Sequence, residues 1–408
     1  MTATTLSPPP SQDLEAIALI GFAHGVSHFF HLLLPPLFPW LMQDFGLSFS
    51  GIGATMTIFF VVSGIGQALA GFLVDHLGAA RVLGGGITCF LLAALLLAFA
   101  DGYPMLVLVA GLAGLGNSVF HPADFTILNR HVSPARLGHA FSMHGLSGNL
   151  GWALAPVFLT GIAASTGWRT AALGAALVAA ISLGLLFWRR RSLDDPPQVA
   201  PATRQGPPVS AFAFLRSGAV WLCFAFFLLI TTAFGAIQNF ASPILQNLYG
   251  LSLAVAATSL SAYLLGGAVG ILLGGFLAQK GEHDYLIAAA LGIAALLAIL
   301  LATVHLPAWC VMPLMAGIGF CTGIAGPSRD LLVRRAATSR FGQAAYGRVY
   351  GFVYSGLDAG LAMAPLIFGG FMDRGQFAQV LIGIAVLQTL AIATALRVGG
   401  NNRATAQQ

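Results

Sequence analysis

GFLVDHLGAAR, residues 71–81, closes one apolar run and opens the next. It sets one acid, Asp75, and one base, Arg81, in a short turn between the runs at about 51–74 and 82–100. About 205 residues later GFLAQ, starting at Gly275, occupies the same place between runs at about 254–279 and 284–303. A turn that recurs with both of its flanking runs marks an internal duplication.

Working outward from that turn, apolar runs long enough to cross a bilayer are readable at about 17–41, 51–74, 82–100, 105–128, 138–163 and 169–188. They resume at about 218–246, 254–279, 284–303, 307–331, 343–372 and 376–396. The basic, proline-rich stretch between the sixth and seventh runs reads as a linker, 189–217, between two six-span halves, 17–188 and 218–396. Polar tails remain at 1–16 and 397–408. The composition agrees: 57% of residues are hydrophobic and 8% charged, where soluble domains carry about 25% charged residues. The fold class is an all-α, multi-pass membrane protein embedded in the lipid bilayer. The N-terminal tail has no basic start, and the run behind it is long enough to span, so no cleavable signal is expected.

The net charge of +5 does not point to nucleic acid, because the arginines sit in short loops. Arg81, Arg130, Arg136, Arg189 to Arg191, Lys280, Arg334, Arg335 and Arg340 follow even-numbered spans, while loops after odd-numbered spans hold Arg169 and Arg374. By the positive-inside rule both termini are cytoplasmic. Cys89, Cys223, Cys310 and Cys321 all lie in apolar runs and form no CxxC, so neither a disulfide framework nor a thiolate metal site is indicated.

Further echoes support the duplication. GLG at Gly114 recurs as GIG at Gly317, HPAD ending at Asp124 as PSRD ending at Asp330, and ALAP ending at Pro156 as AMAP ending at Pro365. Duplicated halves of this kind hold a substrate between them near mid-membrane. With these residues in view, the chain resembles the major facilitator superfamily over nearly its whole length. GFLVDHLGAAR matches that family's GxLxDxxGxxR motif between spans two and three. SHFFHLLLPPLFPWL in span one and GLGNSVFHPAD in span four resemble its fosmidomycin-resistance branch. Span five, GLSGNLGWALAPVFLTG, only partly resembles the glycine-proline motif of drug/proton antiporters, since Ala155 stands where that motif has Gly.

The ionisable residues inside the spans concentrate on spans one, four, five and eleven. His24, His28 and His31 stand at i, i+4 and i+7 in span one, so one helical face carries them all. Asn117, His121 and Asp124 repeat the spacing in span four and read as one polar stripe. At ~1.5 Å per residue, His24, His121 and His144 lie at a common depth of roughly 10 Å from the cytoplasmic end. An ionisable group at the centre of a span costs about 2.5–3.5 kcal/mol on insertion scales, so contact with substrate or a coupling proton is the favoured role. Pinning helices through hydrogen bonds is the alternative. A permanent metal is not expected, because no cysteine or Asp/Glu cluster completes a ligand set at sequence spacing.

Asp358 lies deep in span eleven and is a second candidate proton carrier. Asn149, Gln238, Asn239 and Tyr263 are weaker candidates for the same site. Gly145, Gly148 and Gly151 could serve simply as small residues for close helix packing. The family resemblance implies a cytoplasmic gate at Asp75, Arg81 and Arg130, with Asp330 and Arg334 replacing the acid that the second copy has lost.

No P-loop, nucleophile triad or zincin motif is present, so neither an enzyme nor an ATP-driven pump is indicated, and no cofactor is expected. The expectation is a monomeric inner-membrane secondary transporter that exports a small drug-like or anionic compound against protons. An importer of a carboxylate, phosphonate or metal chelate is the alternative, and a non-transporting receptor or assembly factor the third.

Overall fold

The structure is a computed structural model that describes residues 10–133, 136–190, 193, 213–278, 283–341 and 346–406. Among the described residues every regular element is helical: α1 (Pro10–His31), α2 (Phe38–Phe45), α3 (Phe49–Leu77), α4 (Ala79–Ala98), α5 (Tyr103–Asn117), α6 (Phe120–His131), α7 (Leu137–Thr166) and α8 (Trp168–Trp188). They continue as α9 (Gly218–Tyr249), α10 (Leu253–Leu277), α11 (His283–Ala302), α12 (Val311–Phe341), α13 (Tyr346–Asp373) and α14 (Phe377–Ala406). These supply 12 stretches long and apolar enough to cross a membrane. Each falls where the hydropathy pattern puts a span. In lipid a helix satisfies its own backbone, which is why apolar runs of this length take no other form.

Among the described residues, spans one and four are broken. Span one ends its first helix at His31, turns through a short 3-10 segment at Pro35–Leu37, and resumes as α2. Pro35 and Pro36 donate no amide hydrogen, so the ladder cannot run through them. Span four breaks between α5 and α6, where the Ser118 hydroxyl turns back onto the Leu115 carbonyl at 2.7 Å and competes with the regular ladder. The expected stripe of Asn117, His121 and Asp124 on one continuous helix is therefore corrected. Asn117 ends α5, while His121 and Asp124 belong to α6.

The helices meet through small residues, as they must where no hydrophobic force draws them together in lipid. A Cβ on Gly151 would overlap the carbonyl oxygen of Gly25, so α7 lies backbone to backbone on α1. The corresponding pair in the second half is α13 on α9, where Gly360 leaves room for Thr231 and a Cβ on Gly356 would lie 2.8 Å from the Phe224 carbonyl. Gly266, Gly270 and Gly274, one turn apart along α10, face the α12 backbone at Ala316, Phe320 and Ile324. The pairings α1 with α7 and α4 with α8 in the first half match α9 with α13 and α11 with α14 in the second, so the duplication is structural.

The chain forms two compact units: residues 1–41 with 61–200, and 42–60 with 201–408. Most of the linker expected at 189–217 lies outside the described residues, and the first part of α3 goes with the second unit. Local chemistry explains that placement. The Asp373 carboxylate accepts the amide hydrogens of Phe49 and Ser50 at the start of α3. Gly53 lies against Pro365, and Thr57 donates to the Ala362 carbonyl at 2.8 Å, one turn before that proline.

Exposed apolar residues recur every three to four positions along spans six, nine and twelve: Leu173, Leu177 and Ile181; Leu296 and Ile299; Ile382, Val386 and Leu390. Each set forms one apolar face suited to lipid. Trp168 and Trp188, at the two ends of α8, stack under the guanidinium groups of Arg169 and Arg189 at 4.1 and 4.7 Å. Such pairs suit a membrane boundary, wet on one side and apolar on the other.

Candidate functional site

Three helices of the first unit converge on Asp124. Its Oδ2 accepts hydrogen bonds from His24 Nδ1 of α1 at 3.1 Å and from His144 Nε2 of α7 at 3.0 Å. The two imidazoles stack, with centroids 3.4 Å apart and planes 24° from parallel. Asp124 is completely buried, and both histidines nearly so. One carboxylate oxygen thus serves two rings, while its other oxygen, Oδ1, is buried without a hydrogen-bond partner among the described residues.

His28, one turn along α1, continues the ring cluster at 4.4 Å from His24 and packs 4.1 Å from the Trp152 ring. Its Nδ1 is likewise buried and unpartnered among the described residues. This crowding depends on Gly148, because a Cβ there would lie 2.6 Å from His28 Nδ1 and 3.1 Å from His24 Nε2. His121 closes the other side, 5.4 Å from His24, with its Nδ1 3.1 Å from Gln67 Oε1. It is the exposed member of the group. His24, His121 and His144 come together in the fold, and the third centroid separation, His121 to His144, is 6.2 Å.

His31 has different surroundings. Asn117 Oδ1 accepts from the Ser27 hydroxyl and lies 2.7 Å from His31 Nε2, while Asn117 Nδ2 donates to Ser63. An amide oxygen only accepts, so His31 Nε2 carries a hydrogen in this network. The indole Nε1 of Trp152 only donates, and it lies 3.3 Å from His31 Nδ1. Both ring nitrogens are therefore engaged. His31 and Asn117 hold α1, α3, α5 and α7 together beside the cluster rather than completing it.

A profile of the Major Facilitator Superfamily matches residues 18–365. The chain belongs to the major facilitator superfamily. It is 26% identical over 398 residues to YfnC of Bacillus subtilis, an uncharacterized MFS-type transporter, covering 95% of this chain and 94% of that one. It is 27% identical over 362 residues to the fosmidomycin resistance protein of Escherichia coli, covering 86% of each. Its fold superposes on a bacterial homolog of the human lysosomal transporter Spinster with a TM-score of 0.74, 12% identity and 98% coverage of both chains. Relatives and fold alike are those of MFS transporters rather than of an enzyme.

The other sequence candidates have surroundings of their own. Asn149 turns back to the Gly145 carbonyl of its own helix at 2.9 Å. Asp358 is half-buried on α13 and has no hydrogen-bond or ion-pair partner among the described residues. Gln238, Asn239 and Tyr263 are buried in the second unit. Asn239 bonds its own helix through Nδ2, and Gln238 Nε2 and Asn239 Oδ1 have no partner among the described residues. Of the residues expected to form a cytoplasmic gate, Arg81 is exposed at the start of α4 and Arg130 is half-buried at the end of α6. The side chains of Asp75, Asp330 and Arg334 lie outside the described residues.

Sequence reasoning missed two buried or capping acids. Asp13, in the first turns of α1, accepts from the amide and the hydroxyl of Ser133. Asp373 caps α3. Each lies at the end of an apolar run, where an acid looks like ordinary solvated surface.

Proposed function

We propose that the protein is a secondary active transporter that exports a small drug-like or anionic compound in exchange for protons, by alternating access. The observation that carries this reading is the Asp124 carboxylate held between two imidazoles from two other spans, His24 and His144. A buried carboxylate with stacked imidazoles can take up or release a proton without leaving its site. A group of that kind stabilises one facing state when protonated and the other when it meets substrate, which is the differential affinity that coupling requires. The relative named for fosmidomycin resistance supports the outward direction.

In this reading His24, His28, His121, Asp124 and His144 form the proton and substrate site, and His31 and Asn117 position it. Asp358 is a second proton carrier, with Gln238, Asn239 and Tyr263 offering contacts from the other half. Asp75, Arg81 and Arg130, with Asp330 and Arg334, form the cytoplasmic gate. The protein works as a monomer in the inner membrane, with both termini cytoplasmic, as the loop arginines indicate.

The test uses everted vesicles with an acid-inside gradient and a pH-sensitive dye. Phosphonates, carboxylates and cationic drugs are added one at a time. A compound that discharges the gradient only when the protein is present, and not with His24→Ala or Asp124→Asn, is the expected result. Silence across the panel, with uptake of a panel member in right-side-out vesicles, would replace export by import.

A further inference from the structure

We propose that His24, His28 and His121 bind a divalent first-row transition-metal ion, with Asp124 as the carboxylate that orients His24. Sequence spacing gave no acid to complete a ligand set, but the fold brings one in from 100 residues away.

The nitrogens of His24, His28 and His121 can all lie within 4.8 Å of one another. On a tetrahedral ion with bonds of ~2.1 Å the same nitrogens stand about 3.4 Å apart, so small ring rotations close the site. The tautomers are already arranged. Asp124 accepts from Nδ1 of His24, which leaves the Nε2 lone pair of that ring for an ion. Gln67 Oε1 is an acceptor beside Nδ1 of His121, which leaves Nε2 of that ring in the same state. His28 needs no such help, because its Nδ1 is buried with no partner among the described residues.

Two observations beyond the cluster itself point to a ligand. His28 is about nine-tenths buried, and its orphaned nitrogen is packed against Gly148, 2.6 Å from where a Cβ would stand. His24 Nε2 lies 3.1 Å from the same point, so the two nitrogens meet over Gly148. Asp124 adds a second orphan, Oδ1. Buried polar atoms without partners are costly, and two of them beside three imidazoles describe a site with a missing electrophile.

The donor set selects the ion. Neutral imidazoles suit Zn2+, Co2+, Ni2+ and Cu2+, whereas Mg2+ and Ca2+ prefer oxygen cages. Three protein ligands leave a fourth position, on the side where His121 is exposed. One carboxylate leaves a divalent ion with surplus positive charge, so an anionic oxygen donor from a small ligand fits that position. Only the further step, that the ion travels as part of the exported compound, rests on the transport reading above.

The experiment uses the full chain in lipid nanodiscs, purified without a histidine tag and titrated with Co2+ alone. One tightly bound equivalent with a visible spectrum of low-coordinate nitrogen ligation is expected, displaced by Zn2+ and indifferent to Mg2+. His28→Ala and Gly148→Ala should abolish it, the second by pushing the His28 ring out of place. Asp124→Asn should weaken binding 10–100-fold, as loss of an orienting carboxylate does. His305→Ala, an exposed loop histidine, should leave it unchanged. Each variant is accepted only with a wild-type elution profile and a cooperative melting transition well above the titration temperature. No bound equivalent, or one that survives His28→Ala, overturns the proposal. A proton-coupled response to a metal-free compound by the same preparation would leave the transport reading standing, so the two failures are separable.

Discussion

Nδ1 of His24 and Oδ2 of Asp124 lie 3.1 Å apart with both side chains buried, although α1 and α6 are separated by four other helices in sequence. Asp124→Leu removes the acceptor of two buried N–H groups, each costing about 1–3 kcal/mol when left unpaired. Asp124→Asn keeps one acceptor oxygen and loses the charge. The expected order of melting temperatures is wild type, Asp124→Asn, then Asp124→Leu, with proton-coupled transport absent from both variants. Normal transport in Asp124→Asn would remove the acid from the mechanism.

His31 separates from its neighbours in the same way. Because Asn117 and Trp152 occupy its two nitrogens, His31→Gln, which keeps a donor toward Asn117, should retain transport. His31→Ala should lower stability by about 1–3 kcal/mol. His24→Gln should fold and fail to transport. Melting curves and vesicle assays on the three variants check this.

Gly151 and Gly145 sit on one helix and differ in what faces them. A side chain on Gly151 runs into the Gly25 backbone, whereas nothing lies within 4 Å of one on Gly145. Gly151→Ala should cost about 1–3 kcal/mol or prevent stable expression, as overpacking does. Gly145→Ala should be neutral. Fluorescence-detected chromatography after a heating series distinguishes them.

Asp373 caps the first turn of α3 with a carboxylate, a position favoured by both hydrogen bonding and the helix dipole. Asp373→Ala should cost about 0.5–1 kcal/mol, the low end for a cap because the site is exposed. It should also raise the rate at which a cysteine placed at Gly51 reacts with an impermeant maleimide. An unchanged labelling rate would mean that the cap does not hold this end of α3.

Spans and their order were legible because burial in lipid demands long apolar runs, and a run is a local property of the chain. The duplication was legible for the same reason, since GFLVD and GFLAQ, or ALAP and AMAP, mark equivalent turns of equivalent helices. The histidines could be found by spacing, because i, i+4 and i+7 put them on one face of α1. Span four shows the limit of that argument, since its regular spacing runs across a helix break at Ser118 and Val119.

The sequence by itself determined twelve spans, two related halves, superfamily membership and a set of polar residues too costly to place in lipid without a role. Only the tertiary structure decided which of those residues meet. It put Asp124 between His24 and His144 and gave His31 to Asn117 and Trp152. The physical reason is that side-chain partners in this bundle are set by how closely backbones approach. That approach depends on glycines such as Gly25 and Gly151 facing each other across helices and on Gly148 facing the histidine rings, relations between positions more than a hundred residues apart that no local pattern records.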